Sequence, residues 1–103
     1  MDGQKSKLDE KIELSGFRDI DAATMAVVKK ILHNHSNRIL ELCSNIETLH
    51  ITLKQVHERE KSEKYEVHAK LIDNGKVFVS KVTERNLHVA IDSALNKIIH
   101  EIE

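Results

Sequence analysis

The chain has 103 residues, 40% of them apolar, with three glycines and no proline, enough to close one modest core and too few turn residues to join two units by a flexible linker. Its formal net charge of −1 excludes an indiscriminate polyanion binder, which rests on a clear excess of Lys and Arg. A single cysteine, Cys43, excludes an internal disulfide, no run approaches the ~18 apolar residues of a membrane span, and Met1 to Glu10 has no apolar segment like that of a signal peptide, so a cytoplasmic protein without membrane contact is expected.

Residues 1–10 are polar and without period and read as a disordered leader, which leaves residues 11–103 as a single domain. Ile12 and Leu14, with Phe17 beyond Gly16, give the apolar alternation of a brief first strand. Asp21 is placed to cap a helix, since its carboxylate can accept from the free amides of a first turn, and Ile20 and Met25 flank it as a hydrophobic staple. Met25, Val28, Leu32, His35, Ile39 and Leu42 then recur at spacings of three and four, drawing one stripe along a helix that reaches about Ser44. At ~1.5 Å per residue that helix is ~35 Å long and needs a sheet beneath it.

Leu49, Ile51 and Leu53 alternate with Thr48, His50, Thr52 and Lys54, the pattern of a half-buried strand. Gln55 to Lys64 is nearly all charged or polar and reads as a solvated loop. Tyr65, Val67, Ala69 and Leu71 alternate with Glu66, His68 and Lys70 as another half-buried strand. Asp73-Asn74-Gly75 supplies residues that tolerate positive φ, so the chain should fold back as a hairpin into Lys76 to Thr83. In that last strand Val77, Phe78, Val79 and Val82 do not alternate cleanly, which a bulge or a central position would explain. Asn86 can cap a final helix whose stripe is Leu87, Ile91, Ala94, Leu95, Ile98 and Ile102, with His88, Asp92, Asn96 and His100 opposite. The expected fold class is α+β: a two-layer sandwich in the order β-α-β-β-β-α, a four-stranded sheet with two helices on one face and its other face open.

The segment Asn86-Leu87-His88-Val89-Ala90-Ile91-Asp92, continued by Leu95, Lys97 and Ile98, is similar to the opening of the last helix in the ribosome hibernation promoting factors and ribosome-associated inhibitors, where an acid precedes Met, Tyr, any residue, Ala, Ile, and Asp or Asn. The Asn74-Gly75 hairpin stands at nearly the family's distance before that helix, and the first strand with Ile20-Asp21 occupies the place of the family's Ile-Thr helix start. Order and spacing carry the resemblance, which spans residues 11 to 103, because none of the three motifs is specific alone. It implies a non-catalytic protein without cofactor, bound to the small ribosomal subunit and its rRNA in the channel used by messenger and transfer RNA, inhibiting translation under stress. His88 stands where the family has Tyr, and the chain ends His100-Glu101-Ile102-Glu103 where the family carries a Lys/Arg-rich tail. The appended dimerisation domain of the long family members is not expected here, nor is self-contained ribosome pairing through such a domain.

RNA binding needs cations spaced to meet successive phosphates on a rigid surface. Residues 54–85 hold eight Lys/Arg against six Asp/Glu, the one basic third of the chain. On the first helix Lys29, Lys30 and Arg38, with His33 and Asn37, lie off the apolar stripe and are opposed nearby by Glu41; Lys54, Lys70, Lys81 and Arg85 on the sheet could join them, and Lys97 on the last helix completes the candidate set. Singly, each lysine reads as an ordinary solvating charge. Seven histidines raise a metal hypothesis that their spacing opposes: His33 and His35 point to nearly opposite sides of a helix, His50 and His68 belong to strands that can pair, and no third ligand follows. His35 reads as a hydrogen-bonded core histidine and Cys43, at a helix C-terminus, as a packing residue. No phosphate loop, nucleophile elbow or paired-carboxylate signature points to an enzyme. The competing class is a protein interaction module or weak homodimer using the open sheet face or an unpaired edge strand.

Overall fold

The computed structural model describes residues 9–58 and 62–103. A 3-10 turn at Asp9–Lys11 leads into β1 (Ile12–Ser15), followed by α1 (Ala22–Leu42), β2 (Ile46–Glu58), β3 (Ser62–Asp73), β4 (Lys76–Glu84) and α2 (Leu87–Ile102). The sheet has four strands in the order β1-β2-β3-β4; β1 runs parallel to β2, and the other pairs are antiparallel. This is the expected α+β sandwich. Of the leader, residues 1–8 lie outside the described residues, and Asp9 and Glu10 belong to the 3-10 turn. No helix is long and apolar enough to cross a membrane among the described residues.

Local chemistry starts and ends the helices where the sequence places them. The Asp21 carboxylate accepts from the Thr24 amide at 3.1 Å and from its hydroxyl at 2.7 Å, and the hydroxyl bond first, then the amide, holds that carboxyl below its usual range. Asn86 Oδ1 accepts from the Val89 amide at 3.1 Å and caps α2 in the same way. Gly16, at φ +86°, turns the chain out of β1; a Cβ there would stand 2.0 Å from the Leu53 carbonyl oxygen, so backbone lies directly on backbone.

The core forms between one face of the sheet and the inner stripes of both helices. Ile12 and Leu14 of β1 lie in register with Leu49 and Ile51 of β2; Leu49, Ile51 and Leu53 oppose Leu71, Ala69 and Val67 of β3, which in turn oppose Phe78, Ser80 and Val82 of β4. Val28, Leu32 and Ile39 of α1 and Leu87, Ala90, Ile91, Ala94, Leu95, Ile98 and Ile99 of α2 close over that surface. Ser36 of α1 is wholly buried with them, its hydroxyl donating back to the His33 carbonyl at 2.7 Å. Partly exposed Cys43 caps α1, and burial first, then the nearby Asp73, pushes its thiol up to about 11.

Two expectations are corrected. Gln55 to Lys64 is mostly strand, since β2 runs to Glu58 and β3 starts at Ser62, leaving residues 59–61 outside the described residues; continued backbone pairing from Gln55↔Tyr65 to Glu58↔Ser62 outweighs the polar composition. β4 is neither bulged nor central: its register with β3 is regular and it lies at the sheet edge. The broken alternation arises because Ser80 takes a core-facing place, donating its hydroxyl to the Ala94 carbonyl of α2 at 2.8 Å, while Val77 and Val79 face the open side. The polar side of α2 opposite its apolar stripe also makes contacts. Asp92 and Asn96 meet His35 of α1, whose Nε2 lies 3.2 Å from both Asp92 Oδ1 and Asn96 Oδ1, with Nδ1 2.9 Å from the Ile31 carbonyl. His35 is thus the hydrogen-bonded, partly buried histidine expected.

Candidate nucleic-acid interface

The period of two that buries Leu49, Ile51 and Leu53 turns Thr48, His50, Thr52 and Lys54 to the other side of the sheet. The same alternation puts Glu13 and Ser15 of β1, Lys64, Glu66, His68, Lys70 and Ile72 of β3, and Val77, Val79, Lys81 and Thr83 of β4 on that open face. Register places His50 between Glu13 and Lys70, Thr52 between Ser15 and His68, and Lys54 beside Glu66, while Lys81 stands beside His68. The face is divided along the strands: Lys54, Lys64, Glu66, His68, Lys70 and Lys81 gather at one end and centre, and Ile72, Val77 and Val79 lie toward the Asn74-Gly75 turn.

Two hydrogen bonds fix the polar centre. His50 Nε2 lies 2.7 Å from Ser15 Oγ, and His68 Nε2–H donates to Glu66 Oε2 at 2.6 Å. That bond first, with the charges of Lys81, His68 and Lys54 adding to it, holds the Glu66 carboxyl below the ordinary carboxylate range. Glu66 is therefore an anion set among cations. His50, Thr52, His68, Lys70, Val79 and Ser80 line a shallow depression of about 230 Å³. His50 and His68 are diagonal neighbours on this face, and no group of three His, Cys, Asp or Glu side chains suited to a metal occurs among the described residues.

The eight cations singled out in the sequence do not form one surface. Lys54, Lys70 and Lys81 share the open face. Lys29, Lys30 and Arg38 of α1 and Lys97 of α2 are exposed in the helical layer on the opposite side of the sheet. Nor do the α1 cations make a strip: Lys29 and Arg38 are nine residues apart, which at about 100° per residue sets them on opposite flanks of the helix. Arg38 is also held by two acids, Glu41 at 3.2 Å and Glu103 at 2.5 Å, of which only Glu41 is visible from local spacing. Arg85 follows β4 at the rim of a separate cleft of about 370 Å³ between the two helix N-termini, where Tyr65, Gln55 and His88 also lie. There His88 Nε2 is buried without a hydrogen-bond partner among the described residues. Reading the strands by parity finds His50, Thr52, His68 and Lys64 beside the three lysines; that Glu66 is ringed by Lys54, Lys81 and His68 follows only from the strand register.

No protein-family model matches the sequence, and no curated protein matches it. Solved structures do. A ribosomal subunit interface protein from Coxiella burnetii superposes with a TM-score of 0.61 at 19% identity, covering 88% of this chain and 91% of that one. The N-terminal domain of protein Y from Thermus thermophilus superposes with a TM-score of 0.53 at 18% identity and the same coverage, 88% and 91%. The resemblance to hibernation promoting factors drawn from the sequence is thereby borne out at the level of the fold.

Proposed function

We propose that this single-domain chain is a cytoplasmic translation inhibitor of the hibernation factor type, which binds the small ribosomal subunit and acts by occupying the mRNA/tRNA channel, with its open sheet face against rRNA. The observation that carries the reading is the joint presence of a fold similar to a ribosomal subunit interface protein along nearly the whole chain and a sheet face bearing Lys54, Lys70 and Lys81 around two histidines. From strand spacing alone, Lys70 and Lys81 stand about 8 Å apart at the backbone and Lys54 and Lys81 about 12 Å. Flexible lysine stems bridge such intervals to neighbouring phosphates, and a strand pair holds their bases in place. The hydroxyls of Ser15 and Thr52 and the imidazoles of His50 and His68 supply shorter polar contacts of the kind phosphates and riboses accept. Occupancy requires no chemical step, and none of the residues on this face is assigned one.

Co-sedimentation with purified small subunits tests the proposal. The protein is expected to pellet at low salt and to be released as salt rises, and Lys54, Lys70 and Lys81 changed together to Gln are expected to leave it in the supernatant. Messenger and transfer RNA should compete with it. Failure to pellet at any salt, or a triple variant that pellets like the parent, would overturn the assignment of this face.

A further inference from the structure

β4 is a nine-residue edge strand, and among the described residues no strand pairs with its outer side. The opposite edge, β1, is only four residues long and follows directly on a 3-10 turn. An unpaired strand of this length presents a row of free amides and carbonyls, which soluble proteins usually protect. Here it also carries the two most exposed large apolar side chains among the described residues, Val77 at 54% and Val79 at 60%.

The hairpin decides which backbone groups point outward. Asn74 at φ 51° and Gly75 at φ 82° form a two-residue turn with both central residues left-handed, so the flanking pair Asp73 and Lys76 exchanges hydrogen bonds. Alternate residues of β4 from Lys76 onward therefore bond inward to β3, and Val77, Val79, Lys81 and Thr83 direct their amides and carbonyls outward. An antiparallel partner must match outward residues with outward residues. A second β4 centred on Ser80 does so, with Val77 opposite Thr83 and Val79 opposite Lys81, and it is the register in which all nine residues find a partner.

The side chains match in the same register. Lys76 stands opposite Glu84 of the second copy at both ends of the ribbon, in the closely spaced, non-hydrogen-bonded kind of pair where facing side chains approach best. Lys76 and Glu84 are exposed, and neither has an ion-pair partner among the described residues. Phe78 faces Val82 on the core side. Sliding one strand by two residues about Lys81 sets the two Lys81 side chains against each other, and sliding it the other way about Val79 leaves Glu84 beyond the partner strand.

We infer that β4 pairs with β4 of a second copy of this chain, antiparallel about a two-fold axis at Ser80, joining two four-stranded sheets into one of eight strands. The interaction needs no RNA and is independent of the ribosome reading. Sedimentation equilibrium of the isolated chain, over micromolar to about millimolar concentration, should show a shift from the 11.8 kDa protomer toward twice that mass. K76E sets acid against acid twice per dimer and is expected to raise the dissociation constant about tenfold, as is E84K, while the double variant K76E/E84K should restore association. V79P removes an outward amide without touching a bond to β3 and should leave a folded monomer, checked by circular dichroism. A chain that stays monomeric throughout, or a dimer whose constant is the same in both single charge variants and the double variant, would overturn the inference.

Discussion

Glu66→Gln is the sharpest perturbation of the proposed RNA face. Glu66 of β3 opposes Lys54 of β2 and accepts a hydrogen bond from His68, with Lys81 close enough to add to the lowering of its carboxyl. Among the described residues the open face carries Lys54, Lys64, Lys70 and Lys81 against Glu13 and Glu66, so the substitution removes one of two negative charges. Each further phosphate neutralised steepens the dependence of log K on log salt by about 0.7 for single-stranded and about 0.9 for duplex nucleic acid. One added contact therefore strengthens binding about five- to eightfold at 0.1 M salt and less than about twofold at 0.5 M. Fluorescence anisotropy with a labelled fragment of small-subunit rRNA, run across that salt range, measures both the gain and the slope. Because the folded Glu66 carboxyl lies below its ordinary value of 4.5, it stays ionised as pH falls past that value. The difference between variant and parent should accordingly persist there and close only at still lower pH. An unchanged or weaker affinity at 0.1 M, or a gain equal at all salts, would refute the placement of phosphates on this face.

Gly16→Ala forces a Cβ into the Leu53 carbonyl at a left-handed φ and is expected to cost about 3 kcal/mol in urea unfolding, whereas Gly75→Ala, at φ +82° but in open space, should cost about 1 kcal/mol. Equal losses would mean that the close approach of the first turn to β2 is misplaced. Cys43, with its thiol pushed up to about 11 from a usual 9.0, should show thiolate absorbance rising only around that pH, with C43S as the blank; a midpoint near 9 would contradict its surroundings. Since the fold disfavours the thiolate, stability contributed by Cys43 is intact below pH 9 and declines as pH rises from there toward 11. Alkylation of Cys43 at pH 8 should run about tenfold slower than that of an unperturbed thiol, the hundredfold smaller thiolate fraction being partly offset by greater nucleophilicity.

Much of the fold is written in neighbouring residues, because the interactions that start, stop and orient an element span four positions or fewer. Asp21 and Asn86 cap helices through amides three residues on, Asn74 and Gly75 accept the positive φ of the hairpin, and period-two alternation assigns Leu49, Ile51 and Leu53 to one side and His50, Thr52 and Lys54 to the other. Composition misled where long-range pairing was strong: the largely polar residues 55–58 and 62–64 are strand because they continue the ladder between β2 and β3. The irregular Val77 to Val82 pattern could not reveal an edge strand, since a core-facing, half-buried serine satisfied by the Ala94 carbonyl looks, in sequence, like a polar outward position.

What the chain determined by itself is the order of its elements, the polar and apolar sides of most of them, and hence that Lys54 and Lys70 lie on the polar sides of their strands; the register with β3 adds Lys81 to that face. That both helices cover one face was already implied by their one-sided stripes; only the tertiary structure decided that Lys29, Lys30 and Lys97 are thereby set apart from those lysines, that Arg38 is taken up by Glu103 sixty-five residues away, and that β4 is left unpaired at the rim. The division has one cause. Caps, turns and periodicity are settled by contacts a few residues long, whereas strand order and the meeting of distant charges depend on which arrangement buries the apolar sides of all six elements together.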